Sequence, residues 1–272
     1  MKFEDISKIP ESEYVTCERI FEHCRSIGLP YLKPDHIKSG YQNLTSNCGW
    51  KGDYDIVNLQ NAMTIVTGYS DHSIGTQEID ILQRLTLRSW FANNIDLLHP
   101  KLVAVPLGLP NEVDFPIYGN TRRLHDIAQE PKMIKNIAYM NFKIETFPSE
   151  RKQVFDAFSI LPWVTTGTID LTENGHRKYL KEIRDHKFCL CPRGNGVDTH
   201  RLWECLYLGT IPICKRSETL RQFEDLPILF VDDWSEVTPE YLDKIYDNFM
   251  NRDFDVQKMT MSYWRRRLIP AI

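Results

Sequence analysis

Hydrophobic and polar residues follow two patterns along most of this chain. Short apolar runs with β-branched residues predict strands, and apolar positions about 3.6 residues apart predict amphipathic helices. The predicted strands are residues 55–59, 63–67, 88–92, 102–106, 136–140, 163–166, 187–191, 210–214 and 228–231. The predicted helices are residues 12–26, 76–87, 121–129, 149–158, 176–185, 199–208 and 239–250. Ser12 and Ser149 are the expected N-caps of their helices, and Gly209 ends the helix before it.

Strands and helices alternate in two series, which meet near residues 130–135. Repeated strand–helix units build a mostly parallel sheet covered by helices. We therefore expect an α/β protein with two Rossmann-like domains facing each other across a cleft, residues 1–132 and 133–272, with the last helix able to pack back on the first domain. Ligands of such sheets bind beyond the carboxyl ends of the strands, which selects the loops after residues 67, 106, 141, 166, 191 and 214.

Charge and hydropathy narrow the class of protein. The chain has 272 residues, 42% of them hydrophobic, and a formal net charge of -4. Nucleic acid is an unfavourable partner for such a chain, because phosphate binding requires a surplus of Lys and Arg. No apolar stretch reaches the roughly 18 residues of a membrane span, and the polar N-terminus lacks the apolar region of a signal peptide. A cytoplasmic protein is expected.

The cysteines are few and mostly lie in apolar runs. They are residues 17, 24, 48, 189, 191, 205 and 214. Reduced, buried thiols are the favoured interpretation. A zinc site at Cys189 and Cys191 is the alternative, but no C-x-x-C pair accompanies them.

The most informative segment is residues 188–214, FCLCPRGNGVDTHRLWECLYLGTIPIC. A buried strand leads into Gly194, Asn195 and Gly196, and a helix follows, with Asp198 or Thr199 as its cap. Paired glycines allow close approach of a ligand, and a helix N-terminus favours a phosphate group.

Charged residues in this segment match a nucleoside diphosphate. Arg193 and Arg201 suit phosphate oxygens, and Glu204, three residues after Arg201 on the same helix face, suits the ribose hydroxyls. An ordinary Arg–Glu ion pair and a simple turn stay open as the alternative. The segment is neither a G-x-G-x-x-G fingerprint nor a phosphate-binding loop of NTPases, so NAD and ATP are not indicated.

The same segment resembles the core motif of the exostosin family of glycosyltransferases, in which C-P-x-G, Asp, Arg, Glu and G-x-I-P recur in this order. Residues 226–237 and the region around Arg151 are similar to that family too, whereas residues 1–130 resemble it only faintly. The resemblance implies a GT-B fold, a UDP-sugar donor held by the second domain, inversion at the anomeric carbon, and no metal or other cofactor. Xylose, galactose, arabinose and glucuronic acid are the sugars it suggests, and the small size of the chain slightly favours a pentose such as xylose.

A metal-binding D-x-D triplet has one formal match, Asp53 and Asp55, in a segment that is typical of a turn. We expect no metal there.

Inverting transfer requires a base that takes the proton of the attacking hydroxyl. Asp71, in a glycine-bounded loop after a strand of the first domain, is the leading candidate, and His72 is the second. A polar loop without catalytic role is the alternative. Glu78 and Asp80 are expected to be solvated helix carboxylates.

Further candidates lie beside other strands. Asn141 and Arg151 follow the first strand of the second domain and are expected to contact the donor, Arg151 from a helix N-terminus. Three aromatic residues could contact the ligand: Trp203 could flank the uracil, and Trp90 and Phe91 could stack on a sugar. For all three, packing in the core is the favoured interpretation.

The sequence thus predicts an inverting glycosyltransferase that moves a sugar from a UDP-sugar to a glycan hydroxyl. A GDP-fucose-dependent transferase and a non-catalytic nucleotide- or carbohydrate-binding protein are the alternatives. An NAD oxidoreductase is disfavoured because the dinucleotide fingerprint is missing.

Overall fold

The computed structural model describes residues 1–32 and 63–269. The predicted strand 55–59, the Asp53 and Asp55 pair and Cys48 lie outside the described residues.

The first sheet has four parallel strands in the order β1-β2-β3-β4. They are β1 (Tyr31–Leu32), β2 (Thr64–Thr67), β3 (Ser89–Ala92) and β4 (Leu102–Ala104). Their side chains are nearly all buried, as in a sheet covered on both faces. None of the predicted strands includes β1, since two residues are too few to produce a strand pattern.

The second sheet has five parallel strands in the order β6-β5-β7-β8-β9. They are β5 (Asn136–Met140), β6 (Val164–Thr166), β7 (His186–Leu190), β8 (Ile211–Lys215) and β9 (Leu229–Val231). The predicted strands of this half agree with the observed ones to within one or two residues at each end. The chain is therefore an α/β protein with two parallel sheets.

Helices connect the strands in both halves. They are α1 (Cys17–Ser26), α2 (Ile79–Leu82), α3 (Thr121–Gln129), α4 (Pro148–Phe158), α5 (Glu173–Arg184), α6 (His200–Tyr207), α7 (Glu218–Arg221), α8 (Pro239–Asn251) and α9 (Met261–Arg267). Within the described ranges, every helix is too short or too polar to cross a membrane.

Two of the expected N-caps are wrong. Thr16, not Ser12, caps α1, because its side chain accepts a hydrogen bond from the Arg19 amide. The N-cap of α4 is Phe147, which makes no side-chain cap bond, and Pro148 occupies the first turn in place of a capping Ser149. Proline is favoured there since it has no N–H to leave unpaired. Gly209 ends α6 as expected, with a φ of 67° that glycine adopts without strain.

The helix predicted over residues 76–87 is much shorter in the structure. A 3-10 turn at Thr76–Glu78 leads into α2, which ends at Leu82, and Leu85 is fully exposed. Glu78 is buried rather than solvated, and its carboxylate accepts a hydrogen bond from the Gly75 amide at 2.8 Å. This bond starts the 3-10 turn.

The two halves meet through side chains and through the last helix. Thr219 of α7 exchanges hydrogen bonds with the Ile95 backbone of the first half, at 2.8 and 2.9 Å. Helix α9 packs against α1, and Ser262 bonds to the Glu13 carboxylate. Trp90 and Phe91 lie in the core of the first half, where the Trp90 Nε1 donates to Thr67. Their packing leaves no ring face for a sugar.

Candidate functional site

A cleft of about 580 Å³ lies between the carboxyl edges of the two sheets. Six loops were selected from the sequence because ligands bind beyond the carboxyl ends of parallel strands. Five of these loops line the cleft, those after β2, β4, β5, β6 and β7, and the start of α6 lines it too. The loop after β8 does not line it. Both sheets thus direct the carboxyl ends of their strands at one concave surface, which is where open α/β sheets bind ligands.

The glycine loop between β7 and α6 forms the floor of the cleft. The Gly194 amide donates to the Gly196 carbonyl at 3.0 Å, which closes a tight turn around the exposed Asn195. A Cβ on Gly194 would come within 3.2 Å of the Arg151 Nη2, and one on Gly196 within 3.0 Å of the Asn94 Nδ2. A side chain at either position would therefore crowd a neighbouring side chain, and neither glycine has a positive φ.

Residues of the first half hold this loop in place. The Asn94 Oδ1 accepts hydrogen bonds from the Val197 and Asp198 amides, both at 3.0 Å. The Asp71 Oδ1 accepts one from the Gly196 amide at 3.2 Å. Asn94 was not among the predicted site residues, since nothing in the sequence shows that it meets a loop 103 residues away.

Asp198 ties the same loop to both halves. Its side chain is 2% exposed; Oδ2 accepts from the Leu107 amide and Oδ1 from the Trp203 Nε1, each at 2.7 Å. Burial raises the pKa of this carboxyl to about 7. Trp203 is fully buried and does not line the cleft, so it packs in the core instead of flanking a base. Thr199 is the N-cap of α6 by position, without a side-chain cap bond.

The raised pKa of Asp198 predicts a pH-dependent stability. The folded-state pKa lies above that of an unfolded aspartate, about 3.9, so the folded protein binds the proton more tightly. This contribution is fully present below about pH 4 and is lost as the pH rises to about 7, at a slope of at most about 1.4 kcal/mol per pH unit. In Asp198→Asn, the free energy of unfolding should fall less between pH 5 and pH 7 than in the unchanged protein, as measured by urea unfolding. Equal falls in the two proteins would contradict the assignment.

Arg151 and Arg201 place two cations on one wall of the cleft. Their guanidinium groups lie 5.6 and 5.9 Å from the centre of the Phe142 ring. Arg151 is 6% exposed; Nε donates to the Arg193 carbonyl and Nη1 to the Lys143 carbonyl, both at 2.8 Å. Burial and the neighbouring charge of Arg201 lower the pKa of Arg151 to about 10.

Neither of these arginines forms a direct ion pair with a carboxylate of the described residues. Arg201 makes no hydrogen bond or ion pair with any described residue, and its Nε is buried without a partner. Burial opposes the charge on Arg201, but nearby groups, among them the Glu204 carboxylate, raise its pKa. A partly buried guanidinium that has no direct ion pair is a favourable contact for an anionic ligand. The predicted alternative, an ordinary Arg201–Glu204 ion pair, is not formed in the structure.

Glu204 lies on the cleft one turn after Arg201. Its Oε2 accepts a hydrogen bond from the Tyr179 hydroxyl at 2.6 Å, and burial raises the pKa of the carboxyl. The Oε1 atom has no hydrogen-bond partner among residues 1–32 and 63–269. It is available to a ligand hydroxyl.

Arg193 does not line the cleft, although the sequence places it beside the glycines. Its guanidinium stacks on the Phe147 ring at 4.4 Å, and Nη2 donates to the Asn195 carbonyl at 2.8 Å. The side chain therefore braces the glycine loop from outside.

Asn141 lines the cleft and orders the loop after β6. Its Nδ2 donates to the Tyr139 hydroxyl and to the Thr168 carbonyl, both at 3.1 Å. This loop adds the half-exposed apolar side chains of Ile169 and Leu171 to the mouth of the cleft.

His176 and Tyr118 are site residues that the sequence did not reveal. The Arg123 Nη1 lies 3.1 Å from the His176 Nδ1, and guanidinium only donates, so the neutral imidazole carries its proton on Nε2. That Nε2 and the Tyr118 hydroxyl are buried without partners, and both residues line the cleft. Burial and Arg123 lower the pKa of His176 to about 4. Unpaired buried donors indicate a place for a polar ligand.

The two candidate bases differ in position. Asp71 is exposed and lines the cleft, facing the glycine loop of the second half. His72 does not line the cleft, and its Nε2 lies 3.6 Å from the Glu78 Oε1. Of the two, only Asp71 can reach a ligand in this conformation.

Three cysteines form a cluster behind the glycine loop. The Sγ atoms of Cys189, Cys191 and Cys205 lie within 4.8 Å of one another, and all three side chains are buried. Burial raises the pKa of the Cys189 and Cys205 thiols, so both are protonated when no metal ion is bound. The six described cysteines are free thiols.

Protein-family models give no match to this chain, and no curated protein matches it significantly. The function proposed below therefore rests on the residues of the cleft and on the motif in residues 188–214.

Proposed function

We propose that this protein is an inverting glycosyltransferase that transfers a sugar from a nucleoside diphosphate sugar, a UDP-sugar, to a glycan hydroxyl. The observation that carries the proposal is the pair of arginines without a carboxylate partner, Arg151 and Arg201, on a cleft between two parallel sheets. An anionic ligand supplies the missing negative charge. The resemblance of residues 188–214 to the exostosin family indicates that this ligand is a UDP-sugar.

The order of groups along the cleft fits a nucleotide. Arg151 and Arg201 receive the two phosphates, with the glycine loop close enough for backbone contact. Glu204, one turn along α6, presents its unpaired Oε1 to the ribose hydroxyls. Tyr179 links Glu204 to His176, whose ring stacks on Tyr179 with centroids 6.2 Å apart. The uracil ring of the nucleotide then lies near two unpaired donors, the His176 Nε2 and the Tyr118 hydroxyl.

In this proposal, the arginines stabilise the negative charge that develops on the leaving diphosphate. No metal or organic cofactor takes part. The acceptor enters from the first half, on the side of Asp71 and the loop after β4, with Asp71 as a charged group beside the reacting hydroxyl.

Calorimetric titration with UDP, GDP and ADP, in buffer containing EDTA, tests the donor assignment. UDP should bind with a dissociation constant in the micromolar range, and ADP should bind at least tenfold more weakly. A UDP complex should also raise the melting temperature, because the ligand binds only the folded state.

The other outcomes separate the alternatives. Tighter binding of GDP than of UDP contradicts the uridine assignment and supports a GDP-fucose donor. UDP binding without turnover of any UDP-sugar supports a non-catalytic binding protein. No binding of any of the three nucleotides contradicts the proposal.

A further inference from the structure

The first residue of α6, His200, lies where the two halves meet and lines the cleft. Its Nδ1 is 2.7 Å from the Gly108 carbonyl oxygen, in the loop after β4. A carbonyl oxygen only accepts hydrogen bonds, so Nδ1 carries the proton and donates it to this bond. The neutral imidazole then has its lone pair on Nε2.

The Nε2 atom is free to act on a ligand. It has no hydrogen-bond partner among the described residues and is not among the buried unpaired atoms. Since the Gly108 bond fixes both the tautomer and the ring, Nε2 is a positioned proton acceptor. Such a bond on the other ring nitrogen is how proteins set the basicity of an imidazole.

Neighbouring charges suit proton uptake at this atom. Burial lowers the pKa of His200, which keeps the imidazole unprotonated at neutral pH, while the Gly108 carbonyl and the Asp71 carboxylate oppose that shift. Among the described charged groups, Asp71 is the one that raises this pKa. A carboxylate beside an imidazole stabilises the imidazolium that forms when the proton arrives.

The position along α6 also fits. Consecutive helix residues point about 100° apart, so Arg201 faces Phe142 while His200 faces Gly108 and the first half. In the proposed complex, a diphosphate on Arg201 therefore places the sugar's anomeric carbon between α6 and the first half, on the side that His200 faces. The acceptor side of the cleft opens at the same place.

We propose that His200 is the general base of the transfer, with Asp71 as its charge partner. The inference rests on the proposed function. The acceptor oxygen attacks the anomeric carbon while the bond from that carbon to the β-phosphate oxygen breaks, and UDP leaves with the bonding electrons. The acceptor's proton passes to the His200 Nε2 and from there to solvent, so the products are the glycoside, UDP and one proton.

His200→Asn is the informative variant, because the Asn amide can keep the donor to the Gly108 carbonyl while the basic nitrogen is lost. Release of UDP from UDP-xylose, UDP-galactose, UDP-arabinose and UDP-glucuronic acid is measured, with water as the acceptor. We expect turnover to fall by about 10²- to 10⁴-fold, with UDP affinity changed less than about threefold. His99→Asn, outside the cleft, should behave like the unchanged protein.

The pH profile distinguishes the base from a positioning residue. In the unchanged protein, kcat/KM should rise with pH through a single histidine-like step, and this step should be missing in His200→Asn. In Asp71→Asn the step should stay and move to lower pH, because the carboxylate no longer stabilises the imidazolium. A melting temperature of His200→Asn close to that of the unchanged protein shows that folding is kept.

Two results would overturn the inference and leave the proposed function standing. One is undiminished turnover in His200→Asn; the other is a pH step that persists in that variant and disappears in Asp71→Asn, which makes Asp71 the base. Failure of the unchanged protein to release UDP from all four donors contradicts the proposed function itself, and the inference with it.

Discussion

Arg201→Met is expected to weaken UDP binding by about 100-fold. Arg201 has no hydrogen-bond or direct ion-pair partner among the described residues, so its N–H groups are available to the diphosphate. A hydrogen bond to a charged group contributes about 1.5–3 kcal/mol, and methionine keeps the apolar packing on Phe142 while removing the charge. Calorimetric titration with UDP measures the loss.

Arg193→Met is the matched control. This arginine also belongs to the motif, but its guanidinium lies over Phe147 and bonds to the Asn195 carbonyl outside the cleft. UDP affinity should fall only a few-fold, through a looser glycine loop. Equal losses in the two variants, or a larger loss in Arg193→Met, would show that the diphosphate does not lie on Arg201.

Trp203→Ala is expected to destabilise the fold by about 3–5 kcal/mol. The indole is fully buried, packs edge-on against Phe223 with ring centroids 5.2 Å apart, and donates to the buried Asp198. Truncation leaves a cavity and removes the indole hydrogen bond to the Asp198 carboxylate. Urea unfolding measures the change in the free energy of unfolding.

Trp163→Ala serves as the comparison, because this tryptophan is only partly buried where it packs against Phe158. Its loss should cost clearly less than that of Trp203. If Trp203→Ala retains full stability but loses UDP binding, the indole contacts the nucleotide, and the observed core position does not describe the folded protein in solution.

Most elements of the second half could be predicted from the sequence because their signals are local. Strands β5 and β7 each contain consecutive apolar residues, 137–140 and 188–190, and α6 ends at a glycine with positive φ. In the first half, β1 is too short to give a pattern, and α2 ends early although the apolar period continues to Leu87. In this segment, the hydrogen bond between Glu78 and Gly75 and the exposed turn at Leu85 determine the structure, although the apolar spacing predicts a longer helix.

The residues of the candidate site likewise divide into those that a local sequence pattern predicts and those that it does not. Residues of one continuous segment, such as Gly196, Arg201 and Glu204, could be selected because a loop followed by a helix has a known chemistry. The contacts of Asn94 and His200 depend on residues about 100 and 92 positions away, so no local pattern shows them. Arg193 was expected in the cleft, and only the position of Phe147 explains why it lies outside.

The central claim is that this cleft transfers a sugar from UDP with inversion. Proton NMR of the unchanged protein with UDP-xylose and EDTA tests it most directly, by following UDP release and the first anomer of free xylose. Because the donor is α-linked, we expect UDP together with β-xylose, followed by slow mutarotation. Initial formation of α-xylose, or no release of UDP from UDP-xylose and the three other UDP-sugars, would contradict it.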